Sequence, residues 1–120
     1  LVGRQDRSEA ERGGRRLTMQ ELTKDLDPDK FSVVLDHQPN DYQNQTTAEV
    51  DLVLSGHTHG GQVYVPGFGA PIANSRYGQK YLRGLKEENG RRLITSVGLG
   101  TSILPVRFCS VPEIVSIEWW

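Results

Sequence analysis

The residues of this 120-residue chain most able to do chemistry are its three histidines, and they fall in two places. His57 and His59 are separated only by Thr58, with Gly56 before the pair and Gly60 and Gly61 after it. In an extended segment, side chains at i and i+2 share a face, so the two imidazoles would converge while Thr58 faces away. The flanking glycines permit positive φ and close backbone approach, which a tight loop around an ion or a phosphate requires. Two histidines so spaced also occur by chance at ordinary surfaces, so the pair alone does not establish a metal site. The third, His37, stands between Asp36 and Gln38-Pro39. Taken alone it reads as a strand-end histidine bonded to backbone. Three neutral imidazoles brought to adjacent strand ends, however, would make a site for zinc, iron, nickel or manganese.

Two elements must position them. Residues 31–35 (Phe-Ser-Val-Val-Leu) and 51–54 (Asp-Leu-Val-Leu) are short aliphatic or β-branched runs bounded by polar and turn residues. Their length and composition predict buried strands. The interval from 41 to 50 has room for a compact crossover, so the two strands are expected to be parallel neighbours in an α/β sheet. Each runs directly into histidine, and in open α/β sheets the ligand crevice lies beyond the carboxyl ends of the strands.

Upstream, Arg4, Arg7, Arg12, Arg15 and Arg16 are interleaved with Asp6, Glu9 and Glu11 around Gly13-Gly14. A phosphate-facing patch is one reading and a solvated mixed-charge loop the preferred one. Thr18 and Glu21 have capping-box spacing, with Leu22 and Leu26 at helical intervals, and predict a short helix ending near Asp27-Pro28. Downstream, residues 62–66 alternate like a strand, 67–69 read as loop, and 81–85 with Asn89-Gly90 and 92–95 predict a hairpin with a bulge. Residues 113–119 alternate again, which would close a strand-rich antiparallel meander. Neither repeats nor low-complexity tracts interrupt this order.

Composition narrows the class. Apolar residues make up 36% of the chain and charged residues 24%, with 13 glycines, as in a folded α/β or α+β chain with many turns. A formal net charge of -1 gives no electrostatic reason to expect nucleic acid or an anionic membrane as a partner. Cys109 is the single cysteine, with no disulfide partner within the chain, and its apolar neighbours predict a buried structural thiol. No apolar run approaches the roughly 18 residues of a membrane span. The opening Leu1-Val2-Gly3 reads like the end of a strand belonging to something longer, so a fragment is expected.

The residues around the histidines resemble a known family. The stretch 51–62 (Asp-Leu-Val-Leu-Ser-Gly-His-Thr-His-Gly-Gly-Gln) is similar to the Gly-His-x-His motif of the calcineurin-like metallophosphoesterases, and residues 35–39 (Leu-Asp-His-Gln-Pro) to its preceding single-histidine motif. Residues 96–102, 104–108 and 112–114 resemble the closing segment of a bacterial branch that includes membrane-associated phosphodiesterases and is related to UDP-diacylglucosamine pyrophosphatases. The resemblance implies the C-terminal part of a two-sheet αββα sandwich, here a single domain over 1–120. It also implies a hydrolase of phosphomonoester, phosphodiester or pyrophosphate bonds working with two divalent ions (Mn, Fe, Zn, Ni or Mg). His37 and His57 would bind one ion and His59 the other.

The family's earlier Asp-x-His, Gly-Asp and Gly-Asn-His motifs have no counterpart in the chain. A non-catalytic remnant or binding domain, and a mononuclear three-histidine hydrolase, therefore stand as alternatives. Asp36 faces away from a neighbouring ligand and reads as structural or supporting. Arg76 and Arg107 are candidates for substrate phosphate, against a default of surface ion pairing. Tyr64, Tyr77, Tyr81, Trp119 and Trp120 read as core or edge packing. The implied partners are a phosphorylated small molecule or lipid-linked substrate, the N-terminal part of the same domain, and further copies of an exposed fragment. The implied location is the cytoplasm or the periphery of the cytoplasmic membrane.

Overall fold

Short runs of Val and Leu without helical periodicity build a five-stranded sheet in the computed structural model, which describes residues 1–40, 42, 50–73, 75 and 78–120. The strands are β1 (Val2–Gly3), β2 (Val33–Leu35), β3 (Leu52–Ser55), β4 (Gly84–Glu88) and β5 (Arg91–Thr95). Their spatial order is β1-β2-β3-β5-β4. β1, β2, β3 and β5 run parallel and β4 pairs antiparallel to β5. The chain is thus a mixed α/β sheet with few helices, and β2 and β3 are the parallel neighbours their sequences predict. The crossover expected over 41–50 lies mostly outside the described residues.

Strand register puts Val2, Val34, Val53 and Leu93 in one row across the sheet. Val34 and Leu93 are completely buried, and Met19, Tyr42, Val50 and Tyr81 close over them, with Leu22 packed at the margin. Each such aliphatic side chain contributes about 1.5–3 kcal/mol by leaving water. One residue along, the row Leu35, Leu54, Ile94 and Leu85 faces the other way. Leu35 is 42% exposed and Leu85 59% exposed on that side.

The helices α1 (Arg7–Glu11) and α2 (Met19–Thr23) are each a little over one turn. The capping box of α2 forms as its spacing predicts: the Glu21 N–H donates to Thr18 Oγ1 at 3.2 Å and the Thr18 N–H to Glu21 Oε2 at 2.8 Å. α2 stops at Thr23, earlier than Asp27-Pro28, and the Thr23 hydroxyl bonds back to the Met19 carbonyl at 2.8 Å. The hairpin also forms. Asn89 and Gly90 have φ of 53° and 73°, the two left-handed residues a two-residue turn demands. Pairing is continuous from Gly84 with Thr95 to Glu88 with Arg91, so the expected bulge is absent.

Three other expectations are corrected. Residues 62–66 and 113–119 alternate, yet neither forms a strand. The first makes only isolated bridges, Val63 with Phe108 and Val65 with Gly69, and the second makes none. Alternation reports a half-buried extended backbone, not a partner for its hydrogen bonds, so the antiparallel meander reduces to one hairpin among the described residues. The charged N-terminal stretch divides: residues 9–15 are exposed, as in the solvated mixed-charge reading, whereas the Arg4 and Arg16 side chains are 8% exposed and both bind the buried Asp36. Cys109 is exposed, not buried. Of the aromatic residues, Tyr81 is buried, Trp119 stacks edge-on against Phe31 at 5.2 Å, and Trp120 is fully exposed.

Candidate metal centre

The ladder between β2 and β3 continues past the strand ends and fixes where the histidines emerge. The Asp36 N–H donates to the Leu54 carbonyl at 3.1 Å, the Ser55 hydroxyl to the Asp36 carbonyl at 2.7 Å, and the Gly56 N–H to the His37 carbonyl at 3.0 Å. His37 and His57 therefore leave neighbouring parallel strands side by side. Their rings meet edge to face, with centroids 5.1 Å apart and planes at 77°. A crevice of about 380 Å³ opens at this rim, lined by Gly3, Arg4, Leu35, Asp36, His37, Leu54, Ser55 and Gly56. A larger hollow of about 490 Å³, beside Ser32, Val50 and Asp51 at the opposite strand ends, carries no histidine.

The backbone around the second and third histidines is not extended. His57 has φ of 69° and His59 of 50°, with Thr58 in the right-handed helical region between them. The Thr58 N–H donates to the Gly56 carbonyl at 2.8 Å, closing a three-residue turn about His57 of the rare positive-φ kind. Gln62, with φ of 56°, is wrapped the same way by a bond of 2.6 Å from the Val63 N–H to the Gly61 carbonyl. The same-face argument from extended geometry is replaced by a coiled loop, although Thr58 does face inward. It is fully buried, and its hydroxyl donates to the Leu82 carbonyl at 2.6 Å. Left-handed non-glycine residues are costly and tend to cluster where a loop serves a function.

Chemically, the site holds ligand-competent nitrogens. Burial, followed by the nearby His37, holds the His57 imidazole below its ordinary pKa of 6.5, outweighing the opposite pull of Asp6, so it is neutral at pH 7. His59 Nδ1 lies 3.2 Å from the Gly100 carbonyl, which can only accept, so the tautomer that makes this bond carries its proton on Nδ1. That leaves Nε2 as the lone-pair nitrogen, the arrangement by which a carbonyl orients a ligating histidine. The His59 carbonyl is tied by the Ser110 hydroxyl at 2.9 Å. Among the described residues, no three His, Cys, Asp or Glu side chains converge on a ready-made ion position. The observed unit is the His37–His57 pair with His59 further along the same loop.

The other candidates divide. Asp36 is 1% exposed and held by Arg16 at 2.7 Å and Arg4 at 2.9 Å, a support behind His37. The Arg107 guanidinium bonds the carbonyls of Val97 at 2.7 Å, Ser110 at 3.1 Å, Gly98 at 3.2 Å and, through Nε, Gly100 at 2.9 Å. Its fork stitches the closing segment together and is not held open toward the crevice. Arg76 lies outside the described residues, as does Tyr77. Sequence reasoning passed over Asp6, which caps α1 by accepting from the Ser8 N–H at 2.8 Å through Oδ1 while Oδ2 is buried without a partner. Its signal was an aspartate two residues before a serine, just past the end of a strand.

Several known proteins are similar in sequence to this chain. The chain is similar to an uncharacterised metallophosphoesterase, YkuE, of Bacillus subtilis, 42% identical over 84 residues covering 70% of this chain and 29% of that one. It is 36% identical to another metallophosphoesterase from Aquifex aeolicus over 115 residues, 93% of this chain and 42% of that one. The Escherichia coli phosphodiesterase YaeI is 36% identical over 72% of the chain and 31% of its own length. The chain belongs to the metallophosphoesterase family. It spans between 29% and 42% of the length of these relatives. No family model matches it, and no solved structure does. Metallophosphoesterases are hydrolases that work with divalent metal, and the imidazole nitrogens of His37 and His57, whose rings meet at 5.1 Å, are donors that suit such an ion. No helix among the described residues is long and apolar enough to cross a membrane.

Proposed function

We propose that this chain supplies the histidine share of a two-metal site that hydrolyses a phosphate ester, with His37 and His57 holding one ion and His59 the other. The observation that carries the reading is the 5.1 Å approach of two imidazoles delivered by separate parallel strands to one rim. A bound ion pair supplies an activated water and neutralises charge on the phosphoryl oxygens. The chain's own part is to present imidazole nitrogens, hold them with the Asp36–Arg4–Arg16 cluster and the bond from Thr58 to Leu82, and leave the rim open.

In this reading the chain is one portion of a single longer domain, a two-sheet sandwich whose other part would cover the row Leu35, Leu54, Ile94 and Leu85. Exposed apolar rows of this kind invite association. The substrate is a phosphorylated small molecule or a lipid-linked phosphate, met in the cytoplasm or at the cytoplasmic membrane surface. Support for the lipid alternative is the UDP-2,3-diacylglucosamine pyrophosphatase LpxG of Chlamydia trachomatis, to which 75% of the chain is 35% identical.

Metal analysis and hydrolysis of a chromogenic phosphodiester by the full protein test the proposal. Loss of metal and of turnover in His57→Ala and His59→Ala is the expected result. Turnover retained in both would end it. A second reading, a non-catalytic binding domain, draws on the lack of three converging ligand side chains among the described residues. Metal bound without turnover would favour it.

A further inference from the structure

Three neighbouring parallel strands are each followed closely by a polar residue at the same end of the sheet: Asp6 after β1, His37 after β2 and His57 after β3. The segment carrying Asp6 is pinned in place. The Arg4 N–H extends the β1–β2 ladder to the Leu35 carbonyl at 2.9 Å, and Arg16 Nε holds the Gln5 carbonyl at 2.8 Å. Capping α1 occupies only Oδ1 of Asp6. Oδ2 is buried with no hydrogen-bond partner, one of two such side-chain atoms among the described residues.

A carboxylate oxygen shielded from solvent without a hydrogen-bond partner calls for an explanation in terms of an ion or ordered water. The cap does not supply one, since asparagine or serine would cap as well without a charge. Two imidazole side chains, for their part, can ligate a divalent ion through ring nitrogens yet cancel none of its charge. Because no three ligand side chains converge ready-made, direct coordination by Asp6 is not what the arrangement offers. Its reach is electrostatic, through space or one solvent molecule.

We infer that Asp6 is an anionic neighbour of the His37–His57 ion site, a positioning residue whose charge raises the affinity of the imidazole pair for a divalent cation. The inference rests on the metal-site reading above. Bonding to Ser8, first through the side chain and then the backbone, holds the Asp6 carboxyl below its usual range, and His37 and His57 add to the effect, so the charge is present at neutral pH.

The test titrates Mn²⁺ into the full chain while electron paramagnetic resonance follows the free ion, for the parent, Asp6→Asn, Asp6→Ser and His57→Ala. Both Asp6 variants keep a capping side chain, so their metal-free melting curves should match the parent's. Their Mn²⁺ affinity should fall about fivefold to tenfold, as expected for removing one charge several ångströms from a divalent ion in a wet site. Raising the salt concentration should narrow the gap. Should one variant fold poorly, the other carries the comparison. Parent-like affinity in a folded Asp6 variant, with binding lost in His57→Ala, overturns the role of Asp6 and leaves the metal site standing. Binding that does not depend on His57 overturns both.

Discussion

The ring of His57 meets that of His37 edge to face at 5.1 Å, each imidazole standing two residues beyond the end of its own strand. Nothing in either local stretch dictates the meeting. It follows from parallel pairing of β2 with β3 in register, Leu35 opposite Leu54.

Behind that pair, Asp36 is expected to be a stability determinant. Asp36→Ala strands two nearly buried guanidinium groups, and breaking a buried ion pair from one side costs about 3–5 kcal/mol. Urea unfolding should show a lower midpoint with an unchanged slope. A variant with Arg4, Arg16 and Asp36 all replaced by apolar residues should recover much of the loss.

Gly60 has φ of 61°, and a Cβ there would collide with Ser110 Oγ and approach Val97 Cγ1 at 2.8 Å. Gly60→Ala is expected to cost about 1–3 kcal/mol and to displace the His59 carbonyl from its bond with Ser110. Gly67, with φ of 81°, has open space around it. Gly67→Ala should therefore show the backbone penalty alone, about 1 kcal/mol. Calorimetric melting of the two variants side by side checks the difference.

Since the folded pKa of His57 lies below the 6.5 of the unfolded chain, the unfolded state binds more protons as pH falls. The contribution is complete above pH 6.5 and is lost as pH drops from there toward the folded value. His57→Gln should flatten the change in urea midpoint between about pH 5 and pH 7.5 relative to the parent. An equal slope in both chains would show that His57 does not titrate differently on folding.

Arg107 spans four carbonyls of the closing segment, from Val97 to Ser110, and a lysine cannot reproduce that fork. Arg107→Lys is expected to cost about 1–3 kcal/mol. Hydrogen exchange should quicken at the Glu113 amide, which bonds the Gly98 carbonyl at 3.1 Å.

How far the sequence reaches is visible in particular residues. The β2–β3 pair, the Thr18–Glu21 box and the Asn89-Gly90 turn were legible because each rests on chemistry within a few neighbours. The alternating runs at 62–66 and 113–119 misled because period two records which side is wet, and a ladder needs a second chain segment at the right height. Cys109 was misjudged for a related reason: apolar neighbours do not bury a residue whose φ is 51° at a bend. Asp36 reads from its position as a structural side chain, but its two arginine partners lie far off in sequence, so no spacing could have announced them. The coiled histidine loop escaped because the tight turn at His57 is held by the distant Thr58–Leu82 bond and His59 by its tie to Ser110, neither of which local spacing announces.

The bond from Thr58 to the Leu82 carbonyl bears on the order of events during folding. β3 can be sealed on one side only by β5, and the turn that follows it is anchored to the approach of the same hairpin. Long-range closures of this kind come late, after the entropy of the intervening loop has been overcome. A nascent chain that had emerged only as far as His59 would carry all three imidazoles and still lack the scaffold that aims them.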